Sequence, residues 1–268
     1  MTRSPFRHRI RILIALALLG LIFAIAGGYF IFKQRTTLPP PPPRSEPVTI
    51  ALPNTKPIMA LHQDYTRPDS LWVLVNKERS IPLEYTPSPL VITSVAVRKD
   101  KSPEEQSVRT DVESHLKIMF SAAQTEGHNL MIGSAYRSAR LQQTYFDHYA
   151  QVTGESTANR YSAHPGESEH QTGLSVDITS ASLHCYLEEC FADTPDGRWL
   201  AGNAHKYGFI LRYPKGKEAI TGYEFEPWHY RYVGIELATA LYESKLTLDQ
   251  AWPYLEAALT QLKKRGII

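Results

Sequence analysis

The sequence SEHQTGLSVD at residues 168–177 is the most informative segment of the chain. Apolar and polar residues alternate over residues 174–178, and this period of two predicts a β-strand with one face in the core. Asp177 belongs to the other face, which then borders a cleft, and His170 lies at the mouth of the strand. The stretch therefore predicts a carboxylate and an imidazole beside the same cleft.

A second strand is predicted later in the chain, within EPWHYRY at residues 226–232. Its aromatic residues alternate with His229 and Arg231, so that this strand also has two distinct faces. Glu226 stands three residues before His229, and Pro227 restricts the backbone between them. A second imidazole and a second carboxylate are thus held close together.

These residues have the composition of a catalytic zinc site. The imidazoles of His170 and His229 and the carboxylate of Asp177 would bind the ion and leave a fourth position for water. Glu226 is the natural general base for that water. Taken singly each residue proves little, since a lone histidine on a strand is more often a satisfied structural group. The combination carries the prediction.

The remaining elements complete an α+β fold. A helix is expected to begin at Ser102, with Pro103 at its first position and Glu105 in a capping box, and to end at Gly127. Further strands are predicted at residues 72–75, 130–136 and 209–211, and further helices at residues 140–149, 199–207, 235–243 and 248–264. The pattern predicts a small, mainly antiparallel sheet flanked by helices, with the zinc site in a cleft.

The N-terminal region predicts a single transmembrane helix before the domain. Residues 12–32 carry no charge, and at about 1.5 Å per residue they would cross a ~30 Å hydrocarbon layer. The arginine-rich residues 1–11 favour a cytoplasmic N-terminus and an extracytoplasmic domain. A cleaved signal peptide is the alternative, because small residues stand near the end of the span. Residues 33–68, with a proline run at 39–43, are predicted to be a linker before the domain at 69–268.

Charge and cysteine content exclude some functions and leave one question open. The formal net charge is only +2, with much of the basic excess in the N-terminal tail, so no nucleic-acid surface is predicted. The chain has two cysteines, Cys185 and Cys190. A disulfide is favoured for an extracytoplasmic domain, and a zinc pair or free thiols are the alternatives.

The motifs resemble those of the VanY-like D-alanyl-D-alanine carboxypeptidases, zinc peptidases related to the D-Ala-D-Ala dipeptidases. The SxHxxGxxxD pattern of that family is matched by Ser168, His170, Gly173 and Asp177, and its ExxH element by Glu226 and His229. AYRS at residues 135–138 and NAHKYGFILRYP at residues 203–214 are similar to further family segments. The resemblance runs from about residue 69 to residue 234.

The resemblance implies roles for particular side chains. His170, Asp177 and His229 correspond to the zinc ligands, and Glu226 corresponds to the catalytic base. Arg137 resembles the family arginine that faces the substrate, where it would clamp a carboxylate or stabilise an oxyanion. The pocket for the terminal D-residue would be lined by Tyr136, Ser138, Gln142 and Ser168.

Two of those lining residues have other readings, and one position departs from the family. Tyr136 would otherwise be a packing residue, and Gln142 a surface residue. Ser175 stands where the family usually has a small apolar residue such as alanine. If it faces the cleft side, its hydroxyl could tune the surroundings of the metal.

The implied function is zinc-dependent hydrolysis of the terminal D-Ala-D-Ala bond of peptidoglycan stem peptides. An L,D-carboxypeptidase, an endopeptidase on the same substrate and a non-catalytic wall-binding domain are the alternatives. The expected location is the bacterial cell membrane, with a single pass and the catalytic domain outside the cytoplasm. The expected partners are peptidoglycan stems and the membrane, without an obligate protein partner.

Overall fold

The chain has an apolar N-terminal helix and a separate compact unit, seen in a computed structural model that describes residues 5–36 and 46–268. The helix, α1 (Pro5–Thr36), contains the 19-residue stretch Leu13–Ile31, whose mean hydropathy is 2.4. Length and composition of this kind suit a membrane-spanning helix, and a signal sequence near an N-terminus has the same character. The proline run at residues 39–43 lies outside the described residues.

The compact unit, Pro47–Ile268, is an α+β domain of small antiparallel sheets and helices, as predicted. Its strands are β1 (Thr49–Ile50), β2 (Ile58–Met59), β3 (Leu90–Ile92), β4 (Ser107–Arg109), β5 (Leu130–Ser134), β6 (Ser175–Ser180), β7 (Phe209–Leu211) and β8 (His229–Tyr232). Its helices are α2 (Thr110–Thr125), α3 (Ala139–Thr153), α4 (Glu155–Tyr161), α5 (Pro195–Asn203), α6 (Glu218–Thr221), α7 (Ile235–Ser244) and α8 (Leu248–Lys264). Short 3₁₀ turns occupy Glu169–Thr172, Glu189–Asp193 and Ala204–Tyr207.

The register of the four-stranded sheet positions the predicted ligands. The strand order is β5-β6-β8-β7, and every neighbouring pair is antiparallel. The central pair aligns Asp177 of β6 directly opposite His229 of β8. Because directly opposite residues project to the same face with Cβ atoms about 4.5–5.5 Å apart, the sheet itself brings a carboxylate beside an imidazole.

The other face of this sheet packs against α2. Val112, Leu116 and Met119 recur at helical spacing, are fully buried, and belong to one apolar cluster with Val176 and Ile178 of β6. Burial of side chains of this size contributes about 1.5–3 kcal/mol each. The apolar face therefore anchors the sheet, and the opposite face is left for polar groups.

A second apolar cluster joins the beginning of the compact unit to α7 and α8. Val48, Ile50 and Tyr65 are buried there together with Leu237 and Leu255. The unit thus begins at Pro47, and the linker predicted for residues 33–68 does not extend to residue 68. The sequence conceals this because β1 and β2 have two residues each, too few for a periodic pattern.

The first helix of the compact unit begins later than predicted. Ser102 and Glu105 do form the capping-box contacts: the N–H of Glu105 donates to Ser102 Oγ at 3.3 Å, and the N–H of Ser102 donates to Glu105 Oε2 at 3.2 Å. A turn and then β4 follow, however, and α2 starts only at Thr110. Antiparallel pairing of β4 with β3, a tertiary contact, overrides the local helix signal.

The strand predicted at residues 72–75 is wrong. This segment is buried but has no strand conformation. Two of its carbonyl groups accept hydrogen bonds from arginine side chains, where a strand would accept them from a neighbouring strand. Arg231 Nη2 donates to the carbonyl of Val73 at 2.9 Å, and Arg212 Nη2 donates to that of Val75 at 3.5 Å. Buried carbonyl groups need donors, and here the polar face of the sheet supplies them.

The other predicted elements are present, β7 and α8 with the predicted bounds and the rest with shifted ends. Strands β5 and β7 and helices α3, α7 and α8 correspond to predicted segments, and the helix predicted at residues 199–207 is α5 with the 3₁₀ turn that follows it. Helix α4 was not predicted. Gly154 is both the last cap of α3 and the first cap of α4. With one residue between the two helices, the sequence shows no separate start for α4.

Candidate functional site

Three side chains that were predicted to bind a metal meet on the polar face of the sheet: His170, Asp177 and His229. His170 Nε2 lies 3.4 Å from Asp177 Oδ1, and His229 Nδ1 lies 3.5 Å from the same oxygen. The two imidazole rings are nearly perpendicular, with centroids 4.8 Å apart. All three residues are buried, so bulk water does not separate them.

The backbone before β6 aims His170 into the site. The 3₁₀ turn carries its imidazole inward and ends at Gly173, whose φ of 68° is left-handed. A side chain at Gly173 would also come within 3.1 Å of Arg109 and Pro87, so both backbone and packing favour glycine. His170 Nδ1 lies 2.6 Å from the carbonyl oxygen of Ala135, which can only accept. Nδ1 therefore carries the hydrogen, and Nε2 presents a lone pair.

The donor set fits a zinc ion. Atoms bound tetrahedrally at about 2.0–2.2 Å from zinc would lie about 3.3–3.6 Å from one another, and the separations of 3.4 and 3.5 Å fall in this range. Among the described residues, His170 Nε2 and Asp177 Oδ1 have no hydrogen-bond partner although both are buried. Leaving a buried polar atom unpaired costs about 1–3 kcal/mol. The arrangement is therefore one that a cation would complete.

Charged neighbours shift the pKa values of the two imidazoles in opposite directions. Burial, assisted by Arg137, lowers the pKa of His170 to about 4. Burial opposes the charged form of His229 as well, but the carboxylates of Glu169 and Glu226 raise its pKa to about 9. An imidazole surrounded by carboxylates lies where positive charge is stabilised, which a bound cation also requires.

Glu226 enters the site from the turn that precedes β8. Its Oε2 lies 3.3 Å from His229 Nδ1, and its backbone N–H donates to the carbonyl of Tyr213 at 3.1 Å. The N–H of His229 donates to the carbonyl of Glu226 at 3.1 Å, which closes the turn. Burial raises the pKa of Glu226, and a raised pKa suits a carboxylate that takes up and then releases a proton.

Arg137 borders the same group just beyond the end of β5. Its Nη2 lies 3.7 Å from Asp177 Oδ2, and its backbone N–H donates to the carbonyl of His170 at 3.3 Å. Its Nε is buried and has no partner within the described chain. The guanidinium thus keeps a donor that could bind a carboxylate or an oxyanion.

A cleft of about 310 Å³ lies beside these residues. Gln142 and Ser168 both line it. Gln142 Nε2 donates to the carbonyl of Ala163 at 2.8 Å, and among the described residues its Oε1 has no partner. Lining residues that the sequence analysis missed are Tyr149, Tyr161, Ser162, Ala163, Leu187, Tyr213, Tyr223 and Trp228. They come from helices α3 and α4 and from several loops, which no local pattern connects.

Two residues predicted to line the pocket lie beside the cleft lining and not within it, in the part of the chain that the structure describes. Ser138 caps α3, because its Oγ accepts from the N–H of Leu141 at 3.3 Å. Tyr136 is buried, and its N–H donates to the carbonyl of Ser107 at 2.9 Å. Both residues shape the chain around Arg137, and their contact with a substrate stays a prediction.

Behind His229 lies a charged group that the sequence analysis missed, here called the buried arginine cluster: Glu169, Arg212, Arg231 and Asp249. Glu169 Oε1 accepts from Arg212 Nε and from Arg231 Nη1, each at 2.8 Å. Arg212 Nη1 donates to Asp249 Oδ2 at 2.5 Å. Burial opposes the charge on Glu169, but the two guanidinium groups hold its pKa well below the ordinary value.

The cluster also borders the candidate metal site. Glu169 Oε2 lies 3.9 Å from His229 Nε2, on the side of the ring away from Asp177. One sequence signal could have revealed it: Arg231 shares a strand face with His229, and a buried arginine requires a carboxylate partner. Glu169, beside His170 in the first motif, is that partner.

The two cysteines form a disulfide, which was the favoured interpretation. Cys185 and Cys190 are joined, with Cα atoms 5.6 Å apart. The loop that they close carries Leu187 to the cleft.

Comparison with known proteins finds similar carboxypeptidases. A family model described as VanY, D-alanyl-D-alanine carboxypeptidase, matches residues 105–235. Putative carboxypeptidase YodJ of Bacillus subtilis (strain 168) is 46% identical over 183 residues, which cover 68% of this chain and 67% of that protein.

Two solved structures are also similar. That of the LdcB LD-carboxypeptidase has a TM-score of 0.66 and 41% identity, and covers 76% of this chain and 94% of that one. That of the vancomycin resistance D,D-pentapeptidase VanY in complex with Zn(II) has a TM-score of 0.56 and 32% identity, and covers 68% of this chain and 98% of that one.

Proposed function

Because the chain belongs to the VanY family of carboxypeptidases, we propose that it is a zinc-dependent D,D-carboxypeptidase that removes the terminal D-alanine from peptidoglycan stem peptides. One observation carries the proposal: His170 Nε2, Asp177 Oδ1 and His229 Nδ1 converge at zinc-ligand spacing with the Glu226 carboxylate beside them. The similar D,D-pentapeptidase VanY, solved with Zn(II), supports the choice of metal and bond.

Zinc held by His170, Asp177 and His229 would supply Lewis acidity and lower the pKa of a water molecule in the site. Glu226 takes a proton from the attacking water and returns it to the amine of the departing D-alanine. The position of Glu226 suits both steps, because its carboxylate is 3.3 Å from the His229 imidazole and is fixed by the turn before β8.

Arg137 binds charge on the substrate. Its guanidinium lies beside Asp177 and has a buried Nε donor to spare among the described residues. Such a group would hold the terminal carboxylate of the peptide or stabilise the oxyanion that forms on attack. Either contact orients the last peptide bond toward Glu226.

An L,D-carboxypeptidase is the second candidate. It is favoured by the 41% identity to the LdcB LD-carboxypeptidase, which exceeds the 32% identity to VanY. The two activities share the zinc chemistry and differ in the residue that precedes the cleaved bond. That residue is D-alanine in pentapeptide stems and a diamino acid in tetrapeptide stems.

We assign α1 to membrane anchoring and the compact unit to the extracytoplasmic side. The 19-residue apolar stretch Leu13–Ile31 supports the anchor, and arginines before it support this orientation. Peptidoglycan stems lie outside the cytoplasmic membrane, so the location agrees with the proposed substrate.

The test uses the full chain, purified in detergent from the membrane fraction. It is incubated with pentapeptide and tetrapeptide stems, and the products are weighed by mass spectrometry. We expect loss of one D-alanine from the pentapeptide, and a chelator should abolish this loss. Glu226→Gln should keep stoichiometric zinc and lose about 10³-fold in kcat, since general acid–base catalysis is removed.

Four results would contradict parts of the proposal. Hydrolysis that survives removal of the metal would exclude zinc dependence, and an active Glu226→Gln variant would exclude the proposed base. Cleavage of the tetrapeptide alone would identify the L,D-activity. Recovery of the chain from the soluble fraction would argue against the anchor.

A further inference from the structure

The disulfide-closed loop, residues 185–190, has an unusual backbone beside the cleft. Five residues other than glycine have positive φ in the described part of the chain, and three of them are Leu183, Cys185 and Leu187, at 60°, 56° and 51°. L-residues adopt this conformation only when their surroundings impose it, and such positions concentrate at functional sites. The loop is therefore held in place by contacts at both of its ends.

Tyr186 fixes the first end of the loop. Its ring packs against β5 at Gly133, where an added Cβ would come within 3.1 Å of Tyr186 Cε2. The guanidinium of Arg98 lies 4.5 Å from the centre of the same ring, at cation–π distance. The N–H of Glu188 donates to the carbonyl of Cys185 at 3.3 Å and closes the turn.

Phe191 fixes the second end. Its side chain is fully buried in the main apolar cluster. Its carbonyl accepts from Thr194 Oγ1 at 2.8 Å, and the N–H of Gly197 donates to the same hydroxyl at 3.0 Å at the start of α5. With the disulfide across the loop, Leu187 has little freedom to leave the cleft.

We propose that Leu187, presented by the disulfide-closed loop, is a specificity-determining residue that contacts the methyl group of a D-alanine at the cleaved bond. The inference rests on the proposed function and adds a substrate contact to it. Among the described residues that line the cleft, Leu187 and Ala163 are the aliphatic ones and Leu187 is the larger; tyrosines and polar groups make up most of the rest. A methyl group gains from such a wall, whereas a charged side chain would lose hydration there.

The contact distinguishes the two stem peptides. A pentapeptide has a methyl group on each side of the cleaved bond, and a tetrapeptide has one methyl group and the charged chain of a diamino acid. An aliphatic wall therefore favours the pentapeptide. The disulfide contributes to this selectivity because it closes the loop that carries Leu187.

The test compares Leu187→Ala, Leu187→Met and the double variant Cys185→Ser/Cys190→Ser with the unaltered full chain, on both stems. We expect Leu187→Ala to raise KM for the pentapeptide about fivefold to tenfold, with a smaller rise for the tetrapeptide. Because the metal site is untouched, zinc content should not change and kcat should stay within about twofold. Leu187→Met, of similar volume, should restore most of the affinity.

The double variant Cys185→Ser/Cys190→Ser should resemble Leu187→Ala in KM, since the loop is no longer closed. Leu183→Ala is the matched control: Leu183 has the same left-handed backbone but is 41% exposed and does not line the cleft, so its KM should match that of the unaltered chain.

Unchanged KM in Leu187→Ala, or an equal rise for both stems, would overturn the proposal. If the double variant Cys185→Ser/Cys190→Ser has the KM of the unaltered chain, the disulfide has no part in positioning Leu187. Failure of the proposed function has another signature, because the unaltered chain would then release no D-alanine from the pentapeptide.

Discussion

Glu169 and His170 are neighbours in the chain, yet they belong to two different regions. His170 faces the cleft, where its Nε2 and the Oδ1 of Asp177 have no hydrogen-bond partner in the described chain. Glu169 faces the buried arginine cluster, where Oε1 accepts from two guanidinium groups and Oε2 accepts from Ser175 Oγ at 3.1 Å. The first region leaves polar atoms unpaired, and the second pairs every oxygen of its central carboxylate.

This difference in hydrogen bonding assigns ligand binding to the cleft and stability to the buried arginine cluster. Unpaired buried atoms cost free energy of folding and persist where a ligand completes them, as in the cleft. The saturated cluster instead ties distant segments together: Arg231 reaches the carbonyl groups of Leu71 and Val73, and Arg212 reaches Asp249 of α8. On the proposed function the cleft would do the chemistry, and the cluster holds the strands that carry it.

The largest expected effect comes from breaking the cluster with Glu169→Gln. The amide keeps the shape of the carboxylate but leaves the fully buried Arg231 without its counter-charge and Arg212 with Asp249 alone. We expect the free energy of unfolding to fall by about 3–5 kcal/mol, the usual cost of removing one partner of a buried ion pair. Urea denaturation followed by circular dichroism measures it.

Glu226→Gln is the matched control for that experiment, because it is the same substitution at another buried carboxylate. Burial raises the pKa of Glu226, so its charged form is disfavoured and a neutral amide should leave stability unchanged or slightly raise it. If both variants lose the same stability, the distinction between the two regions fails.

The second effect is on activity and concerns Arg137→Lys. Lysine keeps the positive charge but loses the planar fork and the Nε donor that arginine offers in the cleft. We expect kcat/KM for the pentapeptide to fall about 10²-fold, as when one oxyanion donor is removed, with little change in melting temperature. Steady-state assays with parallel thermal scans measure both quantities.

Arg140→Lys serves as the control for Arg137→Lys. Arg140 is exposed on α3, three residues further along the chain, and should tolerate lysine in both assays. Equal losses in the two variants would show that the guanidinium of Arg137 has no particular place in the reaction.

The cleft was predictable from sequence to a greater extent than the cluster. His170 and Asp177 belong to one turn and strand, and Glu226 and His229 to another, so local spacing brings each pair together. Antiparallel pairing of β6 with β8 then joins the pairs, and two alternating strands already indicate such pairing.

Apart from the strand face that Arg231 shares with His229, the cluster depends on contacts that no local pattern records. Arg212 meets Glu169 from 43 residues away and Asp249 from 37 residues away. The same contacts explain why residues 72–75 were mistaken for a strand: their apolar side chains are buried, but arginine side chains replace the ladder. The early boundary at Pro47 was missed for a related reason, since packing on α7 and α8 orders a segment with no period of its own.

The smallest expected effect tests how far the cluster reaches toward the metal site. Ser175 is fully buried on β6 and donates to Glu169 Oε2, which lies 3.9 Å from His229. Its hydroxyl therefore contacts the cluster directly, and Glu169 lies between it and the metal ligand His229. Ser175→Ala should lower the free energy of unfolding by only about 0.5–1.5 kcal/mol, the net value of one hydrogen bond, and should leave kcat within about twofold.

Thr179→Val on the same strand is the control for Ser175→Ala. The hydroxyl of Thr179 is equally buried but has no hydrogen-bond partner among the described residues, so its removal should be neutral or stabilising. Urea denaturation of the two variants thus compares a paired hydroxyl with an unpaired one. If the kcat of Ser175→Ala falls below the expected range while the protein stays folded, Glu169 transmits the change to His229. The cluster would then belong to the catalytic site.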